Sequence, residues 1–299
     1  MMIVLRALNK RQKRTVTFSL LLCLAMVTAC VGPQVIVPGV TPNPTGTYHV
    51  GKFVWFDLLT NDVSGTKRFY GELFNWEFEA DSSDDADYAT IKKNGTPIGS
   101  VIYLKRLDEK VSESRWLSYL SVPDVDRAAE LIRHGQGDIL KEPMDLPDRG
   151  RIAVVRDPQG AILALIRAKD GDPPDVDLEV GKWMWNELWT TDVDAAITFY
   201  KTLVGLKPET IDISMGDTYH QLKQAESIRA GVVLIPWEDV NPNWLPYVAV
   251  SDLSATIANA KALGGKVLIE PDDTTSDDSV AVIADPSGAA LAIQNLPID

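Results

Sequence analysis

Cysteine and histidine are the side chains that this 299-residue sequence has least of. Its two cysteines, Cys23 and Cys30, both lie within the first thirty residues, and only three histidines occur in the whole chain. The chain beyond residue 30 therefore contains neither a disulfide framework nor a reactive thiol. Metal sites built from several cysteine and histidine ligands are excluded for the same reason.

Positive charge is also scarce. The formal net charge is −13, and five of the basic residues lie in the first fourteen positions, so the rest of the chain is more acidic still. A chain of this charge repels phosphate backbones, which argues against nucleic acid as a partner. The sequence also lacks the nucleophile elbow, the phosphate-binding loop, the dinucleotide-binding glycine pattern and the Cys-x-x-Cys pair. No cofactor is therefore indicated.

The N-terminal region contains an apolar run, Thr15–Ala29, that follows a cluster of basic residues. With about fifteen residues the run is short for a membrane span, which needs roughly twenty, but it suits the apolar core of a signal peptide. It ends in Val27-Thr-Ala-Cys30, which resembles the lipobox of bacterial lipoproteins. The sequence thus predicts a signal peptide over residues 1–29 and a lipid anchor on Cys30. The alternative is a signal-anchor helix with an incidental cysteine.

This resemblance also implies a location in the cell envelope. Residue 31 is valine rather than aspartate, which implies anchoring at the periplasmic face of the outer membrane. Lipid chains anchor a protein by burying methylene groups, each contributing about 0.8 kcal/mol. Residues 30–50 contain four prolines with glycine and threonine among them, which predicts an extended tether between the membrane and the folded part.

The folded part is an internal duplication. The stretch from Gly51 to Val63 returns at Gly181 to Val193 with an offset of 130 residues and without gaps. The copies share Gly, Lys, Trp, Leu, Thr, Asp and Val at matching places, and later segments return in the same order. We therefore expect one domain over residues 51–170 and a second over residues 181–299. The charged, Pro-rich residues 171–180 predict a linker between two separately packed domains.

Each half contains the same local pattern twice. A strand is followed by an aspartate that can cap a helix, by the helix itself, and by two or three further strands. The last strand of each half follows an Asp-Pro-x-Gly turn, at Asp157 and at Asp285. The sequence therefore predicts an α+β fold of four βαβββ-like modules.

This fourfold arrangement resembles the vicinal oxygen chelate superfamily, which includes glyoxalase I, bleomycin-resistance proteins and extradiol dioxygenases. The resemblance covers nearly all of residues 51–299. It implies that paired modules wrap a cup-shaped sheet around a cavity, in which His, Gln or Glu side chains hold a divalent metal. The family's ligands lie seven residues before each helix-opening aspartate and four residues after the glycine of each Asp-Pro-x-Gly turn.

The residues at those ligand positions differ from the family pattern. They are Trp55, Leu117, Ala164, Trp185, Leu245 and Ala292. Tryptophan, leucine and alanine side chains offer no lone pair to a divalent cation. We therefore expect both domains to lack the family's metal.

Strand alternation identifies other residues that should face the two cavities. In the first domain these are Trp55, Asp57 and Leu59, joined by Tyr119, and in the second Trp185, Glu187 and Trp189, joined by Tyr247. Each cavity thus has one carboxylate among aromatic rings. Asp57 or Glu187 could act as a general base or as a hydrogen-bond acceptor that orients a ligand.

Three interpretations remain open at this point. The leading one is binding of a small apolar or aromatic ligand against the tryptophans, without catalysis. The second is a metal-free lyase or isomerase that uses one of the two carboxylates. The third is a structural or partner-docking lipoprotein in which tryptophan and tyrosine fill collapsed cavities. The sequence indicates no particular substrate or oligomeric state.

Overall fold

The computed structural model describes residues 37–80, 88–104, 113–212, 218–237, 240–271 and 280–296. Within these ranges the chain forms four helices and sixteen strands. The first half contains β1 Phe53–Thr60, α1 Val63–Phe74, β2 Glu77–Glu79, β3 Tyr88–Lys93, β4 Thr96–Tyr103, β5 Arg115–Ser121, α2 Val125–His134, β6 Asp138–Leu146, β7 Gly150–Arg156 and β8 Ile162–Ala168. The second half contains β9 Trp183–Thr190, α3 Val193–Val204, β10 Lys207–Asp212, β11 Thr218–Gln224, β12 Ser227–Leu234, β13 Asn243–Val250, α4 Leu253–Ala262, β14 Lys266–Ile269, β15 Val280–Ala284 and β16 Ala290–Asn295.

The predicted signal peptide and the predicted lipidation site, Cys30, lie outside the described residues. In the part of the chain that the structure describes, none of the helices has the length and apolar character required to cross a membrane.

The aspartates predicted to open the helices do so in all four modules. Each side chain accepts a hydrogen bond from the backbone N–H three residues later, at 2.8–3.0 Å. An aspartate in this position satisfies one of the N–H groups that a helix leaves unpaired at its start. The four caps are Asp62, Asp124, Asp192 and Asp252.

Each half folds into one eight-stranded mixed sheet. The strand order is β2-β3-β4-β1-β5-β8-β7-β6 in the first sheet and β10-β11-β12-β9-β13-β16-β15-β14 in the second. The first strands of the two modules, β1 and β5 or β9 and β13, pair antiparallel at the centre of each sheet. The prediction of an α+β fold with two tandem domains of paired modules is confirmed.

A β-bulge occurs near the start of both central strands. The register against the neighbouring strand shifts between Phe53 and Trp55 in β1, and between Trp183 and Trp185 in β9. An extra residue in one strand reverses the facing of the residues before it. Phe53 and Trp183 consequently pack with the helices, whereas Trp55 and Trp185 lie on the opposite face of their sheets.

The expectation that the two halves pack separately is wrong. Helix α2 contacts α3 of the second half, and α1 contacts α4. Two hydrophobic clusters combine buried residues from both halves, one around Ile132 and Tyr200 and the other around Tyr70 and Ile257. Within a single module, one apolar side of the helix has no packing partner. Here that side packs against residues of the other half.

Buried polar contacts also join the halves. The Tyr200 hydroxyl of α3 donates to Asp157 at 2.9 Å and accepts from the Trp244 indole at 2.8 Å. In the other pairing, Thr66 of α1 donates to Asp285 at 3.1 Å. Burial raises the pKa of both aspartates, while the hydrogen bonds from Tyr200, Ser287, Thr66 and nearby N–H groups act in the opposite direction. The two Asp-Pro-x-Gly turns thus serve as contacts between the domains.

The described part of the predicted tether and the predicted linker are held against each other. The Asp172 carboxylate is fully buried and accepts from the His49 N–H and the Ser121 hydroxyl, both at 2.6 Å. Backbone bonds join Gly46 to Asp170 and Asp172 to Thr47. Residues 37–50 are therefore docked on the first domain rather than extended, because Asp172 and its neighbours pair their backbone groups.

We predict that Asp172→Ala destabilises the protein by about 2–4 kcal/mol, because it removes the acceptor of the buried Ser121 hydroxyl and of the partly buried His49 N–H. Urea unfolding of the mature protein measures the change. Limited proteolysis should show faster cleavage within residues 171–180 than in the wild type. Asp170→Ala is the matched control, since that side chain is exposed and its backbone contact survives the substitution. Equal unfolding midpoints for Asp172→Ala and the wild type would contradict this account of the linker.

Candidate functional site

The two central strands each present a carboxylate on the sheet face away from the helices. We call the face around Trp55, Asp57 and Tyr119 the first cup, and the face around Trp185, Glu187 and Tyr247 the second cup. The register of the sheets gives the two carboxylates equivalent neighbours, because Asp57 lies beside Leu117 and Glu187 beside Leu245. The strands thus bring together the residues that the alternation pattern identified.

In the first cup the carboxylate is completely enclosed. Asp57 is 1% exposed and accepts hydrogen bonds from the Tyr119 hydroxyl at 2.6 Å and the Trp55 indole at 2.8 Å. The Ser100 hydroxyl of the neighbouring strand donates to it as well. Such a carboxylate has no lone pair directed toward solvent.

Arg149 occupies the remaining space of the first cup. Its guanidinium is 1% exposed and lies 3.4 Å from Asp57 Oδ1, with its carbon 4.5 Å from the centre of the Trp55 ring. It also donates to the Tyr88 hydroxyl at 3.3 Å. Burial acts to lower the pKa of Arg149 because it disfavours the charged guanidinium. The interactions with Asp57, Tyr88 and Tyr119 outweigh this effect and raise that pKa. The result is a buried ion pair stacked on an indole ring.

The N-terminal segment closes this cup. Arg149 Nε donates to the Pro38 carbonyl at 3.0 Å, and Val40 packs into the hydrophobic cluster of the cup. That cluster contains thirteen buried residues: Val40, Val54, Trp55, Leu59, Leu104, Leu117, Tyr119, Leu140, Ile152, Ile162, Ala164, Ile166 and Ala168. The collapsed alternative therefore describes the first cup, where aromatic packing and a tyrosine-bound carboxylate leave no room for a ligand.

The second cup holds its carboxylate with neutral donors. Glu187 is 6% exposed and accepts from the hydroxyls of Tyr219 and Tyr247, both at 2.7 Å, and from the Trp189 indole at 2.9 Å. Burial, followed by the charge of Glu187, raises the pKa of both phenols, so they remain hydrogen-bond donors at neutral pH. Glu187 is thus fixed in orientation by three donors.

One pair of substitutions explains the different arrangement of the two carboxylates. The neighbours in register are Asp57 with Ser100 in the first sheet and Glu187 with Gly231 in the second. A Cβ on Gly231 would come within 1.9 Å of the Tyr219 hydroxyl. The glycine therefore makes room for a tyrosine to reach the longer glutamate, whereas the serine itself reaches the shorter aspartate.

The aromatic rings of the second cup are less covered than those of the first. Trp185 and Trp189 are both partly exposed, while their first-cup counterparts, Trp55 and Leu59, are buried. Trp237, 46% exposed, stacks on Trp189 with ring centres 5.7 Å apart. The cluster of this cup has four buried members: Leu245, Tyr247, Val282 and Ala292. The second cup thus presents indole faces beside a fixed carboxylate.

The donor set does not fit the divalent metal that the fold implies. The positions of the second cup that correspond to the family's ligands are Trp185, Leu245 and Ala292, which have no oxygen or imidazole to offer. Both oxygens of Glu187 already accept hydrogen bonds from uncharged donors. Among the described residues, no three His, Cys, Asp or Glu side chains lie together as a group able to hold a metal.

A cleft of about 560 Å³ lies between the starts of β1 and β9, and Trp55 and Trp185 of the two cups form part of its wall. It is lined by residues 52–56, 95–98, 182–186 and 228–229, together with parts of the tether and linker. Its charged groups are paired, since Asp175 binds Lys52 at 2.8 Å and Arg229 at 2.9 Å. Although burial acts to raise it, these partners lower the pKa of Asp175 to about 2. Neither cup carboxylate lines this cleft.

Sequence reasoning missed several contributors to the cups: Arg149, Ser100, the tyrosine pair Tyr88 and Tyr219, and Trp237. A signal for Arg149 exists in the duplication. With the offset that aligns Asp157 with Asp285, Arg149 aligns with Asp277, so opposite charges occupy one position. Tyr88 and Tyr219 also align, but their strands lie two places from the sheet centre, and alternation alone does not direct them into a cup.

Comparisons with known proteins agree with this architecture. The sequence matches the Glyoxalase/Bleomycin resistance protein/Dioxygenase superfamily over residues 52–165 and 184–293. It is 32% identical over 248 residues to a Mycobacterium tuberculosis protein named "Putative glyoxylase CFP32", covering 82% of this chain and 95% of that protein. It is 30% identical over 262 residues to the anthracycline biosynthesis protein DauV of Streptomyces sp. (strain C5), covering 82% and 94%.

Solved structures share the fold at low identity. The Mn(II)-bound glyoxalase from Novosphingobium aromaticivorans superposes with a TM-score of 0.56 at 15% identity, covering 84% of each chain. The 2,2',3-trihydroxybiphenyl 1,2-dioxygenase from Sphingomonas wittichii strain RW1 superposes with a TM-score of 0.54 at 14% identity, covering 82% of this chain and 90% of that one. At such identities the likeness extends to the fold alone.

We predict that Arg149→Met destabilises the protein by about 3–5 kcal/mol, because it leaves Asp57 as a buried charge without a cation. Adding Asp57→Asn should recover at least about 1 kcal/mol of that loss. Urea unfolding of the wild type, both single variants and the double variant measures the coupling. Arg133→Met removes an exposed ion pair with Glu142 and should change stability by less than about 1 kcal/mol. Strictly additive effects would show that Arg149 and Asp57 do not compensate each other.

Proposed function

The chain belongs to the Glyoxalase/Bleomycin resistance protein/Dioxygenase superfamily, and we propose that it is a lipid-anchored member that binds a small apolar or aromatic ligand without a metal. The ligand enters the second cup, where its rings stack on tryptophan. One observation carries the proposal: Glu187 is fixed by three neutral donors while Trp185 and Trp189 remain partly exposed beside it. Partly exposed indoles around a fixed polar group are typical of ligand sites.

The carboxylates support binding better than catalysis. A general base must have a lone pair free to take the substrate's proton. Phenol and indole donors occupy three of the roughly four lone-pair sites of Glu187, and Asp57 is buried behind Arg149. We therefore assign Glu187 the role of an acceptor that holds Tyr219, Tyr247 and Trp189 in place. The first cup has a structural role.

The N-terminal sequence supports a position on the membrane. Basic residues, a short apolar run and Val27-Thr-Ala-Cys30 are arranged as in a lipoprotein signal. Lipidation of Cys30 would hold the domains at the periplasmic face of the outer membrane, with the membrane as partner through the lipid. The acidic composition argues against nucleic acid as a partner.

Ligand binding is tested with neutral aromatic alcohols, beginning with 2-naphthylmethanol. At about ten times its Kd, a ligand of the native state stabilises by about 1.4 kcal/mol, which raises the Tm by roughly 3–5 °C. Thermal unfolding should show this shift in the wild type, with and without EDTA. Trp237→Ala should reduce it, because Trp237 does not line the cleft between the domains. Trp185→Ala should reduce it as well, although Trp185 contacts both the second cup and the cleft.

Ile228→Glu serves as the matched control, because this exposed residue lines the cleft between the domains and not the second cup. It should leave the shift unchanged. Loss of the Tm shift in Ile228→Glu alone would indicate that the ligand binds in the cleft and not in the second cup. No shift with any alcohol, or a shift abolished by EDTA, would overturn the proposed function.

Lipidation is tested by labelling cells with radioactive palmitate. The wild type should incorporate label and Cys30→Ser should not, because the acyl chains attach to that residue. Cys23→Ser is the matched control and should remain labelled, since its side chain lies within the apolar run. Equal labelling of the wild type and Cys30→Ser contradicts the lipid anchor.

A further inference from the structure

The two cups occupy equivalent positions in the duplicated fold, and they differ in one charged group. In the first cup the Arg149 guanidinium lies beside Asp57 and against the face of Trp55. Cation, carboxylate and indole together form a closed site that is filled by Arg149, a side chain of the protein itself. The second cup repeats the carboxylate and the indole, as Glu187 and Trp185.

The second cup has no corresponding cation in the described part of the chain. No salt bridge to Glu187 occurs there, and the basic side chains Lys182, Lys223 and Arg229 pair with Glu179, Glu209 and Asp175. The position aligned with Arg149 is Asp277, which lies outside the described residues. The sequence of residues 213–217, 238–239, 272–279 and 297–299 contains several acids and no Lys, Arg or His.

In the described part of the chain, only neutral hydrogen-bond donors therefore compensate the negative charge of Glu187. This residue is 6% exposed, and a carboxylate taken out of water favours a cation nearby more strongly than an exposed one does. Phenol and indole donors occupy three of its roughly four lone-pair sites. The surrounding indole faces attract cations through their quadrupoles. Carboxylate and rings thus favour the same sign of charge.

We propose that the second cup selects ligands carrying a cationic group, an ammonium or guanidinium on an aromatic or apolar scaffold. The cation takes the place that Arg149 holds in the first cup, between Glu187 and the face of Trp185, and the scaffold extends toward Trp189 and Trp237. An anionic ligand is rejected, because it would add a second negative charge to a buried site. The inference rests on the proposed function and specifies its ligand class.

The experiment compares three ligands of nearly equal size on the mature protein at neutral pH: 2-naphthylmethylammonium, 2-naphthylmethanol and 2-naphthoate. Quenching of tryptophan fluorescence gives each Kd. Measurement at 0.15 M NaCl screens the general attraction between a cation and an acidic surface. We expect the ammonium to bind at least about tenfold more tightly than the alcohol, and the carboxylate at least about tenfold more weakly.

Glu187→Gln tests the origin of the preference, since it removes the charge but keeps an oxygen acceptor for the phenols. The ammonium-to-alcohol ratio should fall to about twofold or less, with the affinity for the alcohol little changed. Glu226→Gln, an exposed acid on the turn between β11 and β12, is the matched control and should keep the wild-type ratio.

The outcomes separate this inference from the proposed function. If the alcohol and the ammonium bind equally well to the wild type, ligand binding stands and the cation preference is wrong. A preference that persists in Glu187→Gln, or disappears in Glu226→Gln, also overturns it. Binding of neither ligand overturns both proposals. Should Glu187→Gln fail to fold, the ratio in the wild type still decides.

Discussion

A carboxylate removed from water must be compensated, and this requirement shapes both cups. Asp57 and Glu187 stand at equivalent positions of two central strands, and both are buried. The first domain compensates with a guanidinium, a serine, a phenol and an indole, whereas the second uses two phenols and an indole. A buried charge without such partners would cost several kcal/mol. The aromatic and polar residues around each carboxylate are therefore required to stabilise it in its buried position.

The opposite faces of the two sheets form the interior that the two domains share. There the helices α1–α4 pack between the halves, and buried tyrosines on α1 and α3 accept from indoles of the adjoining sheets. The chain thus uses its tyrosines in two ways, as contacts between domains and as donors within the cups. Because the shared interior depends on both halves, the stability of one domain is coupled to that of the other. The cup faces are free to diverge, since they take no part in that interior.

Much of the fold follows from the sequence because its signals are local and repeated. The duplication, the capping aspartates and the alternation through Asp57 and Glu187 each depend on residues a few positions apart. Arg149 does not, because it lies in the connection before β7 and reaches Asp57 across about ninety positions of the chain. The docking of residues 37–50 was missed for a similar reason. A proline-rich composition indicates a tether, but the buried Asp172 that holds it is a single residue without a pattern.

The first cup also shows how one copy of a duplicated site can be filled by side chains of the protein itself. Arg149 supplies the cation, Val40 and its neighbours supply the apolar cover, and Asp57 keeps its hydrogen bonds. Filling the cup adds buried apolar surface, which stabilises by about 25 cal/mol for each Å² removed from water. A domain altered in this way contributes stability, while its partner retains partly exposed rings around a carboxylate. The two cups differ most in charge at one position, where one copy of the sequence carries arginine and the other aspartate.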